Sequence, residues 1–222
     1  MCLINTLNKP FVLGLVSRAQ GGKDEFAKVA MEEFGAGRIS FGDAVKDEVA
    51  AFLVECGATF EERNLWGTGA DKEEKCVINK DRWILKSFLD FCSGNPNVAH
   101  GPNSIVLSFR SIFQFWGTEY RRAQDDNYWV NKALSKCTEN KLYVISDVRF
   151  LNEANAILDM SGILVRIYRP DAPVISGMNH QSETEVDKIE GFSYYLLNDC
   201  TLEEYQKKCR DTLKDIVSKY VQ

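Results

Sequence analysis

Residues Ser17 to Phe26, SRAQGGKDEF, directly follow the apolar run Phe11 to Val16. Set against the phosphate-loop pattern of a glycine, four residues and Gly-Lys-Ser/Thr, the register is Ser17-Arg18-Ala19-Gln20-Gly21-Gly22-Lys23-Asp24. Ser17 replaces the first glycine and Asp24 the hydroxyl residue. The physical parts survive both changes. Gly21 and Gly22 let backbone N–H groups turn toward an anion, Lys23 supplies a charge, and a helix N-terminus adds its dipole. Asp24 can hold Mg²⁺ directly or through water where Ser or Thr would normally do so. The same residues also suit a plain Gly-Gly turn that opens a helix with a solvated lysine.

Two further stretches carry chemistry. In SFRSIFQFWGTEYRRAQDDNYWV, Ser108 to Val130, a helix places Arg110, Gln114, Gly117, Thr118 and Arg121 on one face. Solvated stripes favour Lys and Glu, whereas Arg, Gln, Gly and Thr suit a planar base and a phosphate. In YVISDVRFLNE, Asp147 stands at the carboxyl end of a buried strand, with Arg149 two residues later. Ligands of open α/β sheets bind outside those strand ends, so Asp147 is expected in the same crevice as Lys23. There a carboxylate orients Mg²⁺ or the attacking phosphate, and an arginine neutralises the transferred group. A strand-end aspartate that caps the next helix is the alternative. Residues 170–187, polar and without periodicity, are a candidate lid over phosphates, carrying His180 with Arg169 at its edge; a surface loop fits equally. Asn198 and Asp199 lie in a strand-to-helix loop, where a base can sit and where capping is the default.

These residues need a scaffold. Phe11 to Val16 reads as a strand covered on both faces, and Phe26, Val29, Ala30 and Phe34 mark the helix after it. Arg38 to Phe41 is a second short strand, followed by a helix with Ala44, Val45, Val49, Phe52 and Leu53 and a stop at Gly57. Leu142 to Ser146 and Ile163 to Tyr168 are further buried strands around a helix over Asn152 to Met160. Tyr194 to Leu197 is a last strand, after which Thr201 and Glu204 form a capping box that opens a terminal helix. Strands alternating with helices predict an α/β fold, a parallel sheet with helices on both faces. Residues 54–105 are expected to be an insertion or cap around one helix, Asp81 to Phe91, within one domain spanning 1–222. Trp66, Trp83 and Phe88 there are candidates for core or for a homodimer interface.

Composition narrows the partners. The net charge of -5 over 222 residues argues against a nucleic-acid surface, which needs clustered Lys and Arg. Seven cysteines, irregularly spaced and with only two histidines, match no zinc spacing and read as reduced thiols. The first residues lack a signal-peptide pattern and no apolar run approaches transmembrane length, so a cytoplasmic protein without membrane contact is expected.

With these stretches in view, the chain resembles the bacteriophage deoxynucleoside monophosphate kinases, a P-loop kinase family. The likeness rests on GGKD (Gly21 to Asp24), RSIFQFWGTE (Arg110 to Glu119), YWV (Tyr128 to Val130), SDVRFLNEA (Ser146 to Ala154), Arg169-Pro170, HQSE (His180 to Glu183) and NDCTLEE (Asn198 to Glu204), in family order. It implies a three-layer P-loop kinase with a helical insertion, in the host cytoplasm if phage-encoded, that converts a deoxynucleoside monophosphate (dNMP) and ATP to the diphosphate and ADP with Mg²⁺. By the resemblance, Gln20, Gly21, Gly22, Lys23 and Asp24 hold the ATP phosphates, Arg18 and Glu25 belong to the same ATP site, and Asn198 and Asp199 lie near adenine. Lys46, Arg110, Gln114, Gly117, Thr118, Arg121 and Trp129 take the dNMP. Asp147 and Arg149 flank the transferred phosphate, and Asp24 and Asp147 are the metal ligands. Ser17 and Cys200 depart from the family pattern. Two other readings are a different small-molecule P-loop kinase, such as one resembling dephospho-coenzyme A kinase, and a non-catalytic nucleotide-binding protein.

Overall fold

A computed structural model describes residues 9–82, 84–171 and 185–220. In chain order the elements are β1 (Phe11–Val16), α1 (Lys23–Phe34), β2 (Gly37–Ile39), α2 (Phe41–Glu55), α3 (Glu62–Trp66), β3 (Lys75–Asn79), α4 (Lys86–Gly94), β4 (Ala99–His100) and β5 (Ser104–Ser108). They continue with α5 (Phe109–Gln114), a π-helical stretch (Phe115–Arg122), α6 (Tyr128–Leu134), β6 (Leu142–Val148), α7 (Leu151–Asp159), β7 (Ile163–Tyr168), β8 (Phe192–Leu197) and α8 (Leu202–Tyr220). Contacts divide the chain into two compact units, Met1–Phe41 with Val130–Gln222, and Gly42–Trp129.

The first unit is built on a five-stranded sheet of order β2-β6-β1-β7-β8, with every pairing parallel. Parallel strands need covered faces, and β1, the middle strand, is buried at all six positions. Alternation along it sorts its side chains. Phe11, Leu13 and Leu15 pack with Phe26 and Ala30 of α1 and Tyr205, Leu213 and Ile216 of α8. Val12 and Val16 pack on the other side with Ala133 of α6 and Ala154 and Ile157 of α7. The result is three layers: helices, sheet, helices. Each such buried Leu, Ile or Phe contributes roughly 1.5–3 kcal/mol.

Local signals set the helix starts. Thr201 N–H and Oγ1 both donate to Glu204 Oε2, at 3.0 and 2.9 Å, which closes the expected box ahead of α8. Glu153, buried in the first turn of α7, accepts the N–H groups of Arg149 and Phe150 at 2.8 and 3.1 Å.

The second unit holds a three-stranded antiparallel sheet of order β3-β5-β4 as well as helices. The sequence suggested a helical segment here. The sheet is written in Lys75-Cys-Val-Ile-Asn79, where Cys76 and Ile78 are buried and the alternate residues exposed; an exposed apolar Val77 blurs that alternation. The helix expected from Asp81 begins only at Lys86, since Asp81 and Arg82 are used in the turn that leaves β3. Phe52, Phe88, Phe115 and Trp116 pack ring on ring, with centroids 4.7 Å apart for Phe52–Trp116 and 5.1 Å for Phe88–Phe115. Phe88 is therefore core, whereas Trp66 is exposed and Trp83 lies outside the described residues.

The six described cysteines are free thiols, five of them buried. Burial pushes Cys76 and Cys209 up to about 12 and Cys92 and Cys137 up to about 11, which keeps them protonated and inert. Among the described residues no helix is long and apolar enough to cross a membrane.

Candidate functional site

Between β1 and α1 the backbone enters the left-handed region twice, at Gln20 (φ 60°) and Gly22 (φ 106°). Gly22 is the N-cap residue of α1 and has no side chain to offer, so no side-chain hydrogen bond caps this helix. The first N–H groups of a helix have no acceptor within it. Lys23, 9% exposed, is the first residue of α1 and so stands at the positive end of the helix dipole. Phe26 N–H closes the first turn on Gly22 O at 3.1 Å, and Gly21 N–H bonds back to Arg18 O at 3.2 Å.

Asp147 lies at the carboxyl end of β6, the strand hydrogen-bonded to β1, where Val16 pairs with Val148. The loop that leads to Lys23 leaves β1 at that same edge, so Lys23 and Asp147 stand at the carboxyl edge of neighbouring strands. Asp147 Oδ2 accepts Ser40 Oγ at 2.7 Å and Oδ1 accepts the Phe41 N–H at 2.9 Å. The carboxylate thus caps a helix, but that helix is α2, which follows the adjacent β2, not the next one in the chain. Arg149, half-buried, follows one residue after β6 ends.

The remaining loop residues have partners within the first unit. Arg18 and Arg166 both bind the Asp187 carboxylate, the latter at 2.8 Å, and the Arg18 hydrogen bond is the main cause that holds Asp187 below the usual carboxylate range. Glu25 accepts Gln206 Nε2 of α8 at 2.6 Å. Asp24, exposed in the first turn of α1, is 3.9 Å from Arg38. Asp199 pairs with Lys208 at 3.0 Å. Asn198 turns its amide to the loop, with Nδ2 donating to Gly21 O at 3.0 Å. Of the candidate lid, residues 172–184, His180 among them, lie outside the described residues.

In the second unit the stretch after Ser108 is not one regular α-helix. Ser108 caps α5, accepting the Ser111 N–H at 3.2 Å, and the ladder widens to π spacing from Phe115 to Arg122. An added residue per turn rotates everything beyond it, so a face drawn at 3.6 residues per turn does not persist. Arg110 accordingly binds Glu73 and Gly69 O, whereas Arg121 Nε donates to Glu48 Oε2 at 2.8 Å. Gly117 and Trp129 do come together, Trp129 Nε1 donating to Gly117 O at 2.8 Å. Gln114 and Thr118 are half-buried. Lys46 pairs with Asp43 at 2.7 Å and lies over the Trp66 ring at 4.5 Å.

Glu48, absent from the sequence reading, is the hub here. It accepts Trp116 Nε1 at 2.9 Å and the Tyr128 hydroxyl in addition to Arg121. The Arg121 guanidinium is further held against Tyr128 and Tyr120, 4.9 and 5.0 Å from their centroids. Its Nη atoms take no hydrogen-bond partner among the described residues, which leaves a fork suited to a phosphate or carboxylate. Nothing in the local sequence of α2 marks Glu48, because its three donors arrive from a distant stretch of chain.

A divalent cation suits the first unit's acids in one way only. No cluster of three or more His, Cys, Asp or Glu occurs among the described residues, so an all-protein cage is not built there. Mg²⁺ usually needs one or two carboxylates, with water and substrate phosphates completing its shell. The exposed Asp24 beside Lys23 in sequence, and Asp147 at the carboxyl end of β6, are two carboxylates of the kind that requirement names.

No protein-family model matches the chain. A protein of Acanthamoeba polyphaga mimivirus named "Putative deoxynucleotide monophosphate kinase" is 26% identical over 209 residues, covering 87% of this chain and 91% of that protein. Among solved structures, dephospho-CoA kinase from Campylobacter jejuni aligns over 93% of this chain and 97% of its own, with 13% identity and a TM-score of 0.47. Shikimate kinase from Acinetobacter baumannii, in complex with shikimate, aligns over 95% of both chains, with 12% identity and a TM-score of 0.45.

Proposed function

We propose that the chain is an ATP:deoxynucleoside monophosphate phosphotransferase, which converts a dNMP and ATP to the diphosphate and ADP. The observation that carries this reading is the N-terminus of α1, which no side chain caps and whose first turn holds Lys23; it follows β1, the strand paired with β6, whose penultimate residue is Asp147. That arrangement supplies amides, an ammonium group and a carboxylate at one edge of a parallel sheet, the parts that phosphoryl transfer uses. The choice of acceptor is supported by the mimivirus relative's name across most of the chain and by the Arg121 fork.

In this reading the N–H groups of Gly22 and the first turn of α1 hold the ATP β- and γ-phosphates, and Lys23 spreads its charge over the group in transit. Asp24 and Asp147 are the residues that would hold Mg²⁺, and the ion would supply positive charge to the phosphates. Arg149 neutralises the transferred group, and Arg121 and Lys46 take the acceptor phosphate. A phosphate monoester loses its second proton near pH ~6, so at neutral pH the attacking oxygen is already an anion. No His or Cys base is required; orientation and charge neutralisation supply the catalysis.

The test is a coupled ADP-release assay across the four dNMPs, the four ribonucleotides and dephospho-coenzyme A, with Lys23→Ala alongside. The expected result is turnover of dNMPs, reduced at least about 10²-fold in the variant at unchanged melting temperature. Turnover of dephospho-coenzyme A alone would replace the acceptor, and full activity of Lys23→Ala would remove the site. A chain that binds ATP without turnover on any acceptor would be a non-catalytic nucleotide-binding protein.

A further inference from the structure

Three consecutive carbonyls of the glycine loop each receive a side-chain donor from the C-terminal half of the first unit. Arg169, just after β7, reaches Gln20 O at 3.3 Å. Asn198, just after β8, donates to Gly21 O at 3.0 Å, and Tyr205 of α8 donates its hydroxyl to Gly22 O at 3.1 Å. No cis peptide bond occurs in the described chain, and in a trans peptide the C=O and the following N–H point opposite ways. Fixing Gly21 O therefore fixes the direction of the Gly22 N–H, and fixing Gly22 O fixes that of the Lys23 N–H. The Gln20 carbonyl is paired with the Gly21 N–H, which already bonds to Arg18 O, so Arg169 is the outermost support.

We infer that Asn198 and Tyr205 are positioning residues of the phosphate loop: they hold its carbonyls on the protein side so that the Gly22 and Lys23 amides face the anion before it arrives. This rests on the phosphate-binding reading above. Gln20, a non-glycine residue in the left-handed region at φ 60°, is strained, and such conformers persist only where the surroundings over-determine them. Tyr205 is 2% exposed and packed in the core, so its hydroxyl is held rigidly. Burial pushes that hydroxyl above the usual tyrosine range, so it stays a donor at any working pH.

The approach is close enough to dictate the residue at 22. A β-carbon on Gly22 would lie 2.6 Å from Asn198 Nδ2 and 2.9 Å from the Tyr205 oxygen. Glycine is required there for the donors to reach the backbone as well as for the positive φ. Preorganised amides need no reorientation on binding, so the expected benefit is tighter capture of phosphates whatever base they carry.

The experiment uses the full chain as Tyr205→Phe and, separately, Asn198→Ala, the second replacing a half-buried loop side chain so that a folded variant is available. Amide hydrogen exchange of Gly22 to Asp24 is measured without ligand. Dissociation constants are measured for ATP and for inorganic tripolyphosphate, which has no base. The expected result is faster exchange confined to the loop, and weakening of both ligands by about five- to tenfold in each variant. The KM for the acceptor should stay unchanged. Wild-type exchange rates with undiminished tripolyphosphate affinity would overturn the inference while leaving the kinase reading intact. For Asn198→Ala, a loss seen with ATP but not with tripolyphosphate would make Asn198 a base contact and overturn its positioning role. A wild-type chain that binds neither ligand would overturn the kinase reading and this inference together.

Discussion

Ser17 fills the space beside Gly21: a β-carbon placed on Gly21 would fall 1.7 Å from Ser17 Oγ. Ser17 is buried, with its hydroxyl on Arg18 O at 3.0 Å, so neither residue can yield without moving the loop. Gly21→Ala should therefore lower the melting temperature by on the order of 5 °C. Ser17→Gly in the same chain vacates the oxygen and should restore most of the loss, a coupling that a double-mutant cycle of thermal midpoints reads directly. Additive effects of the two substitutions would contradict the steric account.

Asp147 does two jobs in this account, and one substitution separates them. Asn in its place keeps an acceptor for the Phe41 N–H while its amide faces the Ser40 hydroxyl, which can turn to accept. Asp147→Asn should retain the α2 cap and fold with a thermal midpoint close to wild type, yet lose about 10²-fold in kcat because the negative charge is gone. Asp147→Ala should lose the cap as well, at roughly 0.5–2 kcal/mol of stability. Equal kcat in wild type and Asp147→Asn would reduce Asp147 to a cap.

The Glu48 hub predicts a graded series at the acceptor end. Glu48→Ala releases the Arg121 guanidinium and leaves Trp116 Nε1 and the Tyr128 hydroxyl without their shared acceptor. The KM for dNMP should rise roughly tenfold or more with little change in the KM for ATP. Glu48→Gln keeps an acceptor oxygen and should fall between. A rise in both KM values to the same extent would point to general loosening.

Asp187 gives a pH dependence of definite sign. Its folded-state pKa is depressed, chiefly by the Arg18 hydrogen bond, so its contribution is present above the ordinary aspartate value near ~3.9 and is lost as pH falls through the lower folded value. The difference in thermal midpoint between wild type and Asp187→Asn should be full at pH 5 and vanish in stronger acid. With both partners well exposed, the effect is small and should shrink further in salt. A difference that grew on acidification would reverse the assignment.

The parallel sheet and its helices were legible because buried strands write themselves as unbroken apolar runs, as Phe11 to Val16 and Ile163 to Tyr168 do. The start of α8 was legible because its capping box is local, and β8 was found two residues short at Phe192 because its outward residues are polar or aromatic. Long-range order was not. Glu48 acquires its donors only when α2 meets the π stretch and Tyr128, and Tyr205 looked like one more core residue in an apolar stripe. Asn198 in its sequence context suits a helix cap or, by the resemblance, a place near adenine, and only the folded loop shows its amide on Gly21. The π widening escaped because any face drawn at fixed helical period assumes a ladder without an extra residue.

The place of β1 at the centre of its sheet sets an order of events during synthesis. β1 is synthesised well before either of its lateral neighbours, β6 and β7, which both come after residues 42–129. Residues 42–129 are contiguous and can condense while β1 is still waiting, whereas the glycine loop gains its Asn198 and Tyr205 supports last of all. A nascent chain stalled before β8 would thus carry the whole nucleotide motif in its sequence and still lack the backbone shape that makes it a receptor.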